Sequence, residues 1–312
     1  MTRIHSAVPH DLPDADELEA DEEGVLDGLA VPPELLLQRK DLREAARSLT
    51  AAEARYLVDL YYARQADRIA AGNQVAALSK ASEPHAAIAY VQATMLRLEK
   101  DIAAMLDAYT RSESTGMGAW ARSVTGVGPV LAAGLLAHLD ITRAQTVGAW
   151  WRFGGLDPTV VWEKGQKRPW NASLKLIYWK LGVSFQKTCN RPTDVYGHLY
   201  VQRKAYEQAR NERGELADQA AAALKKLRKE DTVAKKAYLQ GKLPPGHIDA
   251  RARRFAVKQF LADYHAVAFE KHYGTAPPLP YPISHLGHVH LDDRTGVYAR
   301  SGGGAGSPAA VR

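Results

Sequence analysis

Val124-Thr-Gly-Val-Gly-Pro-Val-Leu-Ala-Ala-Gly-Leu135 sets two glycines around one apolar residue, immediately before an Ala/Leu-rich run. Gly126 and Gly128 permit backbone angles closed to other residues, so a turn built on them can aim unpaired amide N–H groups at a phosphate oxygen. Pro129 suits the first turn of the following helix, whose N-terminus adds further N–H donors and the positive end of the helix dipole. A preceding helix that ends near Trp120 to Ser123 completes a helix-hairpin-helix. Thr125, Gly126, Val127, Gly128 and Pro129 are therefore candidate DNA-backbone contacts. Many Gly-x-Gly turns do no more than close a loop. A dinucleotide site fits poorly, because no Val/Ile-rich strand precedes the glycines and no later glycine completes that fingerprint.

A second group of residues points the same way. From Val160 to Arg191 there are seven Lys/Arg against Glu163 alone, with Trp162, Trp170, Tyr178 and Trp179 interleaved. This composition suits a surface that contacts phosphates and stacks on bases. With the aromatics mainly packed and the cations facing a ligand, Lys164, Lys167, Arg168 and Lys175 are the expected contacts. Arg251, Arg253 and Arg254 cluster at the expected start of a later helix. Cations there oppose the dipole unless an anion or an acidic side chain meets them, and a phosphate would serve.

Nucleophiles and metal ligands give weaker signals. Thr159, Ser173 and Ser184 are hydroxyls in the basic region, but a serine without a base or an oxyanion partner carries little weight. His285, His288 and His290, followed by Asp292 and Asp293, could hold a divalent transition metal, although such a group is more often a histidine-bearing tail. No metal and no cofactor are expected. Cys189 is the single cysteine, which excludes an intramolecular disulfide and fits a reducing cytoplasm.

The elements that position these residues are expected to be all-α, mainly helical, with at most a small β-hairpin. Residues 1–33 form an acidic, disordered arm with nine Asp/Glu against Arg3, a net charge of −8 that leaves +14 for the rest of the chain. A body so basic favours a polyanionic partner through counterion release. No apolar run approaches the roughly 20 residues that span a bilayer, so no membrane partner is expected.

Residues 34–112 read as a helical hairpin or coiled coil. Thr50-Ala-Ala-Glu53 has the capping-box pattern and opens a helix to about Ala71, where Gly72-Asn73 interrupts it. Ser82 and Pro84 start a second helix, with Ile88, Val91, Met95, Leu98, Ile102, Met105 and Tyr109 at heptad spacing. The two form an antiparallel hairpin, or a coiled coil between chains that makes a homo-oligomer.

Residues 113–193 form the helix-hairpin-helix DNA-binding domain, with helices from Val130 to Leu139 and from Val147 to Phe153, the latter ended by Gly154-Gly155. Val160 to Trp170 suggests a β-hairpin turning at Lys164-Gly165, and Asn171 caps a helix through Leu181. Residues 194–275 are basic C-terminal helices: one or two long polar ones, a break at Pro244-Pro245-Gly246, and a helix capped by Asp249. In that last helix Val257, Phe260, Leu261, Tyr264 and Val267 make the apolar face. Residues 276–312 are a Pro/Gly-rich tail.

The heptad helix leading into Thr125-Gly-Val-Gly-Pro-Val-Leu-Ala-Ala133, then Gly155-Leu-Asp-Pro158, Lys164-Gly-Gln-Lys-Arg168 and a basic helix, resembles the C-terminal half of the transposases of insertion-sequence families 110, 116 and 902. The likeness covers roughly residues 50–190. It implies a helical DNA-binding domain of a recombinase that, in the full-length family, works with a bridging RNA. Duplex DNA and structured RNA are the partners so implied.

Two departures accompany the resemblance. The family's N-terminal half is a nuclease-like α/β domain with four metal-binding carboxylates, for which residues 1–49 are too short and too poor in strand formers. The family's catalytic serine, beside a glycine, follows the Gly-Leu-x-Pro motif; Lys164-Gly165 stands in that place here, and Ser173 is the nearest candidate. The leading expectation is a transposase-like protein that grips duplex backbone. The alternatives are a strand-transfer recombinase with Ser173 as nucleophile, and a coiled-coil assembly protein.

Overall fold

A computed structural model of the chain describes residues 40–81, 85–163, 165–227, 232–279 and 294–300. Among them every regular element is helical and no strand occurs, so the protein is all-α. A 3-10 turn, Ala46–Ser48, precedes the long helices α1 (Ala51–Lys80) and α2 (Ala86–Ser112). Short helices α3 (Met117–Ser123), α4 (Pro129–His138) and α5 (Val147–Phe153) follow, then α6 (Ala172–Thr188) and α7 (Val195–Glu212). The chain continues through α8 (Ala217–Lys226) and α9 (Val233–Leu239) into α10 (Pro245–Tyr273), and α11 (Val297–Arg300) packs against α10.

The capping box forms as its sequence requires. The Thr50 side chain accepts from Glu53 N, and Glu53 returns a carboxylate to Thr50 N at 2.8 Å. However, α1 does not stop at Ala71. It runs through Gly72-Asn73 because α2 lies against it: a methyl added at Gly72 would stand 3.2 Å from Gln92 Nε2. The glycine here permits close helix approach at the usual propensity cost of about 1 kcal/mol. The pair is antiparallel within one chain, with Gln65 and Arg68 of α1 both donating to Glu99 of α2, at 3.0 and 2.7 Å.

The expected heptad seam is displaced. Ile102 and Tyr109 are buried, but Val91 is 44% and Leu98 39% exposed, while Leu96, Glu99 and Leu106 face inward. A curved stripe results because α2 packs first on α1 and then, nearer its C-terminus, on α4 as well. Its N-cap is His85, whose side chain accepts from Ala87 N; Ser82 and Pro84, the expected start, lie outside the described residues.

Helix α4 is the hub of the core. Val130, Leu131, Ala132, Ala133, Gly134, Leu135 and Ala137 are all buried, as befits a helix apolar on every side. Gly134 lets α6 come so near that an added methyl would meet Ile177 Cδ1 at 2.7 Å. At the other end of α4, Arg55 of α1 donates to the Ala137 carbonyl.

One apolar cluster joins these elements to α7 and α10, where Val257, Phe260, Leu261, Tyr264 and Val267 are buried as the stripe foretells. Helix α10 starts at Pro245 instead of Asp249, because proline at the first helical position needs no N–H partner. The Pro-Pro-Gly run thus opens the helix it was expected to precede. A smaller cluster of Leu216, Ala220, Tyr238, Leu243 and Ile248 holds α8 and α9. The polar region expected as one or two helices is three, α7, α8 and α9, with left-handed Gly214 (φ 77°) in the turn after α7.

The segment from Val160 to Trp170 forms no β-hairpin among its described residues. Trp162 Nε1 donates to Gln166 O at 2.9 Å, so a side chain closes the loop in place of a strand ladder. A two-stranded ribbon without a sheet or helix beneath it is marginal in water. No described helix is long and apolar enough to cross a membrane.

Candidate nucleic-acid interface

Helix α3 ends at Ser123 and α4 begins at Pro129, with the two glycines in the turn between them. Val127 N bonds back to Val124 O at 3.0 Å and closes the turn. Gly126 is left-handed at φ 89°, whereas Gly128, the N-cap of α4, is extended at φ −79° and ψ 176°, so the special backbone angle expected of both glycines is required at Gly126 alone. Val127 is 4% exposed and acts as the apolar anchor.

Helix α6 holds the turn from behind. Ser184 Oγ donates to Gly126 O at 2.5 Å, and a methyl at Gly126 would lie 3.0 Å from Thr188 Oγ1 and 3.1 Å from Phe185 Cδ1. Arg122, paired with Asp107, reaches Val127 O at 3.5 Å. Thr125 Oγ1 meets Thr193 Oγ1 at 2.9 Å.

These contacts engage the carbonyls of the turn and leave its amides. Among the described residues, the N–H groups of Gly126, Gly128, Val130 and Leu131 have no acceptor. Three of the four precede or open α4, where the first-turn donors of any helix lack intrahelical partners. Gly126 and Gly128 are half-exposed, and space beyond Gly128 is open: nothing lies within 4 Å of an added Cβ. The turn can thus bring main-chain donors and a helix dipole to one anionic oxygen.

The basic residues expected to extend this contact do not gather here. Lys164 lies outside the described residues. Lys167 and Arg168 are exposed, with Arg168 stacked 5.9 Å over Trp162. Lys175 is in the first turn of α6 with its amine 3.9 Å over Trp170. Burial, then the charges of Arg168 and Arg254, pushes that amine below the usual lysine range.

The arginine cluster divides. Arg251 is held by Glu207 at 2.9 and 3.3 Å and by Gln219 at 2.8 Å. Arg253 pairs with Asp249 at 3.2 Å. Because α10 begins at Pro245, the three arginines lie in its second and third turns and not at its start as expected, so they do not oppose the dipole; acids nevertheless meet two of the three. Arg254 is exposed, and the charges that bear on it are those of Arg251 and Arg253.

Sequence reading passed over Lys187 and Arg191 as hairpin contacts. Both are exposed, and their segment borders the hairpin through Thr188 and Thr193. Some 60 residues separate Gly126 from that segment, so only the fold reveals the proximity.

Ser173 lies one residue into α6, and its hydroxyl reaches Asp59 Oδ2 at 3.5 Å, the limit of a hydrogen bond. Tyr178 is buried, whereas Trp179 is 51% exposed. The histidines at 285, 288 and 290, with Asp292 and Asp293, lie outside the described residues, as does the acidic arm. Among the described residues no three metal-ligating side chains gather. Comparison with known proteins finds no protein-family model, no curated protein and no solved structure that matches the chain.

Proposed function

We propose that the protein is a transposase-like DNA-binding protein of a mobile element, which grips duplex DNA by its backbone through the hairpin from Thr125 to Pro129. The observation that carries this reading is the set of unengaged amides at Gly126, Gly128, Val130 and Leu131, with open space in front of Gly128. Main-chain donors recognise phosphate without reading base edges, so the contact is independent of sequence. Lys187 and Arg191 add charge beside it, and the basic balance of residues 34–312 supports a polyanionic partner. On this reading the protein works in the cytoplasm, with structured RNA as a further partner and DNA transposition or recombination as the process served.

Gly128→Val tests the reading, because the new side chain projects into the path of the phosphate and not into the core. Salt-controlled titration of a duplex should show affinity lowered tenfold or more with helicity unchanged. Unaltered affinity would overturn the assignment.

A further inference from the structure

Ser184, Phe185 and Thr188 of α6 hold the glycine hairpin, whereas Lys175 lies nine residues earlier on the same helix. Nine residues make about two and a half turns and a rise of about 14 Å. Lys175 therefore emerges on the face of α6 turned away from the hairpin. That face is bordered by α10: at Gly182, two turns from Lys175, an added methyl would stand 3.2 Å from Arg253 Cβ and from Val257 Cγ2.

Several cations meet there, each braced on an indole ring or crowded by its like. Lys175 Nζ sits 3.9 Å over Trp170, and its stem lies 3.2 Å from where a Gly155 methyl would be. Lys258 stacks 5.1 Å over Trp151, so the two lysines flank the short stretch from Trp151 to Gly155. Arg168 covers Trp162, whose ring packs edgewise on Trp170 at 6.0 Å.

Arg254 and Arg168 both depress the Lys175 amine, after burial, and Arg254 likewise depresses that of Lys258. Among the described residues Asp157 is the acid that acts on this group, through Lys258, and its Oδ1 already accepts from Thr159 N at 2.9 Å and Thr159 Oγ1 at 2.7 Å. One engaged carboxylate cannot balance four cations. Among the described residues this surface, spread over two helices and a loop, carries an excess of positive charge.

We infer that Arg168, Lys175, Arg254 and Lys258 form a second site for a nucleic-acid sugar-phosphate backbone, so that one chain holds two backbone segments on opposite sides of α6. Nucleic acid is chosen over other polyanions because the hairpin already takes that class, and to this extent the inference rests on the proposed function. The stacked cations are held in place before binding, which lowers the ordering cost of a contact.

The test is the number of short duplexes bound per full-length chain at saturation, measured by sedimentation with labelled DNA and repeated with an RNA stem-loop. The wild-type protein should bind two per chain, and the backbone type that fills the second place identifies its source. Lys175→Glu/Arg254→Glu should bind one, and so should Gly128→Val. Lys175→Gln/Arg254→Gln, which removes charge from the same exposed positions, guards against misfolding and should weaken the second event at least tenfold.

A single duplex or stem-loop per wild-type chain would overturn the inference, as would two per chain in Lys175→Glu/Arg254→Glu or an unaltered second affinity in Lys175→Gln/Arg254→Gln. If Gly128→Val still bound two while the Lys175/Arg254 variants bound one, the hairpin reading would fall and the second site would stand.

Discussion

At the hairpin the proposed anion donors are main-chain amides, fixed in place by left-handed Gly126, buried Val127 and the Ser184 hydroxyl. On the opposite side of α6 they are the ends of long side chains, three of the four leaning on indole rings. The first surface depends on backbone geometry and so cannot be dissected donor by donor; it can be blocked or it can be unfolded. The second depends on charge, and its cations can be neutralised one at a time. Shape should therefore dominate binding at the hairpin, and ionic strength should dominate it at the cation face.

The sharpest way to break the comparison is to separate the two glycines. Gly126→Val forces a β-branched residue into a left-handed conformation and drives its side chain against Phe185. A loss of about 2–4 kcal/mol in stability is expected, read as a lower thermal midpoint and denaturant midpoint. Gly128→Val should leave both midpoints in place and cost only affinity, about 1.4 kcal/mol or more for a tenfold loss. If the two variants behaved alike, the hairpin would be a packing device and nothing else.

A smaller effect tests the brace behind the hairpin. Ser184→Ala removes one hydrogen bond to the Gly126 carbonyl and should lower stability by about 1 kcal/mol, with a matching modest loss in duplex affinity. At the cation face, Arg254→Gln should reduce the slope of log K against log salt by about one. Lack of any change in slope would remove Arg254 from the contact.

The finest probe is His247, an exposed side chain in the first turn of α10 that feels the charge of Arg254. Burial, followed by the charges of Arg254 and Arg251, holds its imidazole below the ordinary histidine range. Arg254→Gln should move its NMR titration upward, because a repelling cation is lost. A phosphate bound at the cation face should move it upward too, while one bound at the hairpin alone should not.

Signals contained within a few neighbouring residues were readable in the sequence. The Thr50 capping box, the Asn171 cap, the ends of α4 and α5 and the apolar stripe of α10 all depend on local spacing, and all form. Features set by a distant partner were not. Gly72 looks like a helix breaker until α2 lies beside it, and the α2 stripe shifts because two different helices share its length.

The cations show the same limit in the candidate site. Lys175 and Arg254 are far apart in sequence yet act on each other, while Arg251 and Arg253, adjacent to Arg254, are taken up by Glu207 and Asp249. Charge counting along the chain cannot tell a free arginine from a neutralised one. The turn was legible because its signals, a left-handed glycine at Gly126 and a helix-starting proline at Pro129, fall within four residues, although Gly128 proved conformationally ordinary.

Arg55 gives α4 a particular electrical character. By covering the Ala137 carbonyl it offsets the negative pole of that helix inside the protein, while the positive pole at Gly128 meets solvent. On the proposed reading, a strand drawing near would encounter something closer to a lone fractional charge than to a paired dipole, and the attraction of a lone charge declines more slowly with distance. Within the roughly 8–10 Å that physiological salt allows, that difference decides whether the hairpin merely holds a backbone that has landed or also helps to draw it in.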